Sequence, residues 1–195
     1  TLSPSSAASD VYKRQIQYHN PRGRGDFLPA AEYSFVTNID GRGVYSFCMC
    51  PGGVVVPACT GPEQQVVNGM SASGRNTAWA NSAMVTSIGE REFEGMKYEG
   101  LFAGLKFQED LERVAWEQGG KNLYAPTQRL THFLRGHLSE NLPKSSYKPG
   151  IQATSFQEWL PEVVYQRLCA GLTQFGKKAH GFITEEAILL SLIHI

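Results

Sequence analysis

The sequence predicts an α+β fold, with a β-rich layer over residues 32–84 followed by a mainly helical region over residues 100–189. Three observations predict it. Short β-branched or aromatic runs separated by turn residues crowd the first half of the chain. After Glu99 the apolar residues recur at helical rather than alternating spacing. Residues that open and close helices then bracket those later stripes.

Taken in order, EYSFVTNI (32–39), GVYSFCMC (43–50), VVVPAC (54–59) and QVVNGM (65–70) read as neighbouring strands of one sheet. Asn-Ile-Asp-Gly, Pro-Gly-Gly and Thr-Gly-Pro-Glu separate them as turns. Leu101, Leu105, Leu111, Val114 and Ala115 predict a helix, supported by a Glu109–Arg113 pair and ended by Gly119-Gly120. Pro126 suits the first turn of a second helix whose apolar stripe is Leu130, Phe133, Leu134 and Leu138. Ser155 with Glu158 fits a capping box, and Pro161 opens a third helix lined by Val164, Leu168, Leu172 and Phe175 and closed at Gly176. Thr184 is placed to cap a last helix.

Both ends read as foreign to this core. Ser5–Gln15 (SSAASDVYKRQ) back-translates into a transposase-based sequencing adapter, and Leu190–Ile195 (LSLIHI) into the reverse complement of the codons for Asp10–Gln15. Opposite strands of one oligonucleotide account for both peptides. Residues 1–15 and 190–195 are therefore expected to be adapter-derived tails with few contacts, leaving Ile16–Leu189 as the native segment.

Composition narrows the function. The 18 basic and 18 acidic residues balance, which argues against a general nucleic-acid or acidic-membrane binder. No apolar run approaches the roughly 18 residues of a membrane span. The 4 cysteines are too few for a disulfide scaffold in a chain of 195 residues, so reduced thiols and a cytoplasmic location are expected.

In YSFCMCPGGVVVPA, Cys48 and Cys50 stand two apart in a strand, and alternation places both thiols on one face. Metal, redox pair and packing are the candidates. Zinc lacks a second paired cluster, since Cys59 follows the next strand and Cys169 lies in an expected helix. A dithiol at this spacing on one strand face is poorly placed to close a disulfide, so packing is favoured. His132 and His137 are five apart and do not share a helical face as a metal-binding i,i+4 pair does. Asn68–Val85 combines Gly69 and Gly74 with Asn68, Ser71, Ser73, Arg75, Asn76, Asn81 and Ser82. Such a loop can hold a polar ring system or an anionic substrate, or simply form turns through side-chain-to-backbone bonds.

GRGVYSFCMCPGGVVVPA, VVNGMSASGRNTAWANSAMV, FAGLKFQEDLE, APTQRL, SYKPG and FGKKAHGFITEEAIL, in this order, resemble the bacterial FAD-dependent dehydrogenases, a family of uncharacterised flavoproteins. QYHNPRGRGDFLPAAEYSF (17–35) resembles the run that precedes them there. The resemblance implies the inserted second domain of a two-dinucleotide-fold flavoprotein, and so an internal fragment whose FAD-binding domain lies elsewhere in its own chain. FAD is the implied cofactor, a small molecule the implied substrate, and neither nucleic acid nor membrane an implied partner. Cys50, Pro51, Gly52 and Gly53, with Asn68, Gly69, Met70, Ser71, Arg75, Asn76, Asn81 and Ser82, are expected to line the flavin or substrate cavity. The Gly-Gly pair is expected to let backbone approach a planar ligand closely. The alternatives are a cofactor-free small-ligand module or a truncated product with no independent role.

Overall fold

The computed structural model describes residues 11–19, 34–59, 61–93 and 97–191. Its elements run β1 (Val11–His19), β2 (Val36–Ile39), β3 (Arg42–Pro51), β4 (Gly53–Pro57), β5 (Val67–Ser71), β6 (Trp79–Ser87), α1 (Glu90–Phe93), α2 (Ala103–Gln118), β7 (Ala125–Arg129), α3 (Leu130–Arg135), β8 (Ile151–Ala153), a 3-10 turn (Phe156–Glu158), α4 (Glu162–Lys178) and β9 (Ile188–Leu190). The α+β expectation holds. Seven strands form one sheet in the order β2-β3-β6-β1-β9-β7-β8, and β4 pairs with β5 as a separate hairpin. In the large sheet only β7 and β8 run parallel among the described pairs.

Alternation sorts the apolar residues onto the two faces of this sheet. Ile16 stands opposite Leu189, and both join Val44, Met84, Phe133, Leu168, Leu172 and Phe175 in the larger core beneath the helices. Ile188 and Leu190 point the other way, with Ala125, against Val55 and Val67 of the hairpin and Tyr147. The sheet is therefore covered on both faces. That explains why Gln17, Asn81, Ser82 and Thr127 are buried in it despite their polarity.

Helix α4 forms as its stripe predicts, with Val164, Leu168, Leu172 and Phe175 buried, although it runs past Gly176 to Lys178. Helix α2 ends before Gly119 as expected, but its buried face is Phe107, Leu111 and Ala115, while Leu101 and Leu105 are exposed. Arg113 pairs with Asp110 at 2.7 Å rather than forming the expected Glu109 pair.

Several expectations are corrected. Pro126 lies in strand β7, where its carbonyl accepts the Ser191 N–H, and the helix begins only at Leu130 and stops before Gly136. Leu138 is left exposed. Ser155 makes no capping bond and precedes a single 3-10 turn. Thr184 caps a turn through the Ala187 N–H at 3.2 Å, and the chain then enters β9 instead of a helix. The mainly helical half thus contributes three strands of the main sheet. The second half of Asn68–Val85 is strand β6, not loop.

The ends also depart from the few contacts expected of them. Val11–Gln15 extend β1 along β6, and Leu190 and Ser191 are fully buried. Backbone donors and acceptors along β6 pair with any extended chain continuing from Ile16, whatever its side chains. The part of EYSFVTNI before Ser34 lies outside the described residues.

Candidate functional site

The site begins at an irregularity in β3. Phe47 pairs with Ala83 and Cys50 with Asn81, so Cys48 and Met49 together oppose Ser82 alone in a β-bulge. Cys48 takes φ +50, a left-handed conformation uncommon for a residue with a side chain. The extra residue breaks the alternation on which a shared thiol face depended. Cys48 is exposed while Cys50 is buried, so packing describes Cys50 alone. The two residues stay close: Cys50 Sγ lies 3.4 Å from the Cys48 carbonyl oxygen. Burial foremost, then the nearby Cys48 side chain, push the Cys50 thiol up to about 12, against the opposing charge of Arg75.

After the bulge, Pro51-Gly52-Gly53 turns β3 into β4. Gly52 has φ +57, and a Cβ there would stand 2.0 Å from the Arg75 carbonyl oxygen and 2.6 Å from the Asn76 nitrogen. At Gly53 a Cβ would stand 2.4 Å from the Met70 carbonyl oxygen and 2.8 Å from the Cys50 Cβ. The close backbone approach is real, but the neighbour is the protein's own 70–76 segment. Ser71 Oγ donates to the Pro51 carbonyl at 2.7 Å, and Thr77 Oγ1 donates to the Gly53 carbonyl at 3.2 Å, fastening loop to turn. Thr77 was missed in the sequence because a threonine before a strand carries no distinctive signal.

Most of the residues singled out in the sequence are therefore brought together. Gly53 faces Ser71 across the hairpin, Val54 faces Met70, Val55 faces Gly69 and Val56 faces Asn68. Arg75 and Asn76 lie on the turn, with Arg75 at φ +46 and its N–H bonded to the Ala72 carbonyl at 3.0 Å. Asn81 stands opposite both Cys50 and Gln17. Ser82 does not join them. It pairs with Ile16 on the helix-facing side, is buried, and donates to the Phe47 carbonyl at 3.2 Å. Phe47, Met49 and Met70 flank this edge as exposed apolar side chains.

The hairpin carrying the site is anchored through the SYKPG segment. Ser146 Oγ accepts the Val55 N–H at 2.9 Å and a bond from the Gln17 amide, while Gln17 Oε1 accepts from Ser145 Oγ at 2.9 Å. Gln65 Nε2 donates to the Tyr147 hydroxyl at 3.0 Å, which donates to the Leu123 carbonyl at 2.8 Å. Satisfied buried groups of this kind fix one geometry.

A cavity of about 310 Å³ lies between α2 and the 158–161 segment, lined by Tyr98, Phe107, Asp110, Leu111, Trp159 and Leu160 among others. Three of its charged groups pair with one another. Lys97, Tyr98 and Arg113 all bond Asp110, whose carboxyl is held below its usual range chiefly by the Lys97 bond. Burial, then Asp110, pushes the Tyr98 phenol up to about 12.

The turn and its loop offer a flavin one edge: exposed backbone, the Arg75 guanidinium and the thioether of Met70. They do not offer a dinucleotide cradle, because the spaces that Cβ atoms at Gly52 and Gly53 would fill are already occupied by the protein's own backbone. Among the described residues no group of three or more His, Cys, Asp or Glu is placed to hold a metal. No helix there is long and apolar enough to cross a membrane.

Residues 12–192 match the family model of FAD-dependent protein, C-terminal domain-like. A relative from Clostridium beijerinckii (strain ATCC 51743 / NCIMB 8052), described as an uncharacterized protein, is 38% identical over 169 residues. The aligned region covers 85% of this chain and 31% of that relative, so the chain spans under a third of its length.

Proposed function

The chain belongs to the family FAD-dependent protein, C-terminal domain-like, and from that membership we propose that it serves as the substrate-facing domain of a longer FAD-dependent oxidoreductase. The observation that carries this reading is the convergence of the half-buried Pro51-Gly52 and buried Gly53 with the exposed 70–76 segment. Two features distant in sequence make a rigid ledge flanked by apolar Phe47, Met49 and Met70 and bearing the cation of Arg75. Apolar surface with a few placed polar groups suits the contact between a planar ring and a small substrate.

The dinucleotide is held by other parts of the polypeptide in this reading. The flavin, when bound there, supplies the two-electron chemistry. This chain's residues position and exclude: Arg75 offers charge to an anionic substrate group, Met70 covers an apolar one, and the Ser71–Pro51 and Thr77–Gly53 bonds keep the ledge from yielding.

The test is kinetic, in a full-length member of the family carrying the equivalents of Arg75→Ala and Met70→Ala. Both side chains are exposed, so neither change alters folding by more than about 0.5 kcal/mol. The reading predicts that at least one raises KM or weakens flavin retention about tenfold, a loss of about 1.4 kcal/mol. Unchanged flavin content and unchanged KM in both variants would sink it.

A further inference from the structure

Beyond substrate positioning, we propose that Cys48 and Cys50 form a redox-active dithiol that closes to an intramolecular disulfide when it meets a small linear disulfide. The bulge supplies the geometry. Two residues on a regular strand face stand side by side without converging, but the left-handed turn at Cys48 breaks that regularity, and Cys50 Sγ reaches back to within 3.4 Å of the Cys48 carbonyl oxygen. The pair is also asymmetric, with Cys48 exposed and Cys50 only 5% exposed. An accessible attacking thiol beside a shielded resolving thiol is the arrangement that thiol–disulfide exchange uses.

The surroundings act on that exchange in opposite senses: burial keeps the Cys50 thiol protonated, and local charge works against it. Arg75 places a positive charge near the pair, close enough to oppose the rise in the Cys50 thiol. Beyond Pro51, Gly52 and Gly53 add no side chain to this turn. Cys59 and Cys169 lack such a setting: Cys59 Sγ bonds the Val66 backbone and the Gln65 side chain, and Cys169 Sγ the Phe133 carbonyl.

The chemistry balances as two exchanges. The Cys48 thiolate attacks one sulfur of a glutathione-type disulfide, forming a mixed disulfide and expelling one thiolate. Cys50 then gives up its proton and attacks the Cys48 sulfur, forming the Cys48–Cys50 bond and releasing the second thiol. Net, the protein dithiol loses two electrons and two protons, and one small disulfide becomes two thiols.

The experiment uses the full chain, reduced, freed of reductant and incubated anaerobically with oxidised glutathione. Free thiols are counted and the protein is then mapped by mass spectrometry. The expected result is a fall from the four free cysteines of the reduced chain to two, with loss of two hydrogens in the peptide holding Cys48 and Cys50. Cys50→Ser should trap a stable glutathione adduct on Cys48, and Cys48→Ser should leave Cys50 unmodified. A wild-type adduct on Cys48 that never resolves, a Cys48 bond to Cys59 or Cys169, or four unreacted thiols overturns the proposal. None of these outcomes involves FAD, so the result stands apart from the flavin reading above.

Discussion

A single missing Cβ decides the shape of the candidate site. Gly52→Ala would drive a methyl to 2.0 Å from the Arg75 carbonyl oxygen in a backbone of φ +57, so loop and turn must separate. We expect a loss of about 2–4 kcal/mol, combining a strained angle with a lost contact surface, measured by urea denaturation. An unchanged midpoint would mean that the loop does not rest on the turn. The cysteines should differ as their burial does. Cys50→Ser buries a hydroxyl where a thiol sat and costs about 1–2 kcal/mol, whereas Cys48→Ser shifts stability by no more than about 0.5 kcal/mol. Equal losses in thermal melts would argue against the bulge. From the sequence, the need for glycine at positions 52 and 53 was legible because Pro-Gly-Gly is a turn signal. The occupant of the gap was not, since Arg75 arrives from 23 positions downstream by strand pairing. The bulge was equally hidden, as nothing in FCMC breaks alternation.

One carboxylate ties several elements together. Glu92 at the end of α1 accepts from Arg42 of β3 at 2.7 Å and from Arg167 of α4 at 3.0 Å, and Arg167 also donates to the Ser87 carbonyl at 2.9 Å. Burial alone would raise the Glu92 carboxyl, but bonds from the Gly89 N–H, Arg167 and Arg42 outweigh it and hold the group below its ordinary value. A depressed carboxyl contributes stability above its unfolded pKa and loses it as pH falls through the folded one. Melting temperature should therefore drop as the medium is acidified below about 4.5. Glu92→Ala should remove that component of the acid slope and cost about 3–5 kcal/mol at neutral pH, because buried Arg167 loses its partner. A variant as stable as the parent at pH 7 would contradict this account of the junction. Helix α4 was legible with its stripe, because Val164, Leu168, Leu172 and Phe175 all face inward, while α2 was legible as a helix but not in its buried face, since Leu101 and Leu105 are exposed. Strands β7 and β9 were not, since five and three residues are too short to show a period and their pairing is set by chain far away.

At the scale of the whole molecule, the sheet's two covered faces put helices on one side and the site-bearing hairpin on the other. The α+β class was legible in the order of strands and helices, but this layering was not, because the hairpin docks through Gln17, Ser146 and Tyr147, polar residues that carry no periodic signal. If the dinucleotide is held elsewhere in a longer polypeptide, this chain purified alone should be colourless and should bind added FAD only weakly, as read by flavin fluorescence. A stoichiometric yellow protein would show that it carries a complete site. The most direct measurement is a crystal structure of a full-length family member with FAD and substrate bound. The account predicts that the isoalloxazine ring or the substrate lies in van der Waals contact with the equivalents of Pro51–Gly53 or of Met70–Asn76. A flavin and substrate enclosed against the helical face, with the Pro-Gly-Gly ledge facing only solvent, would contradict it.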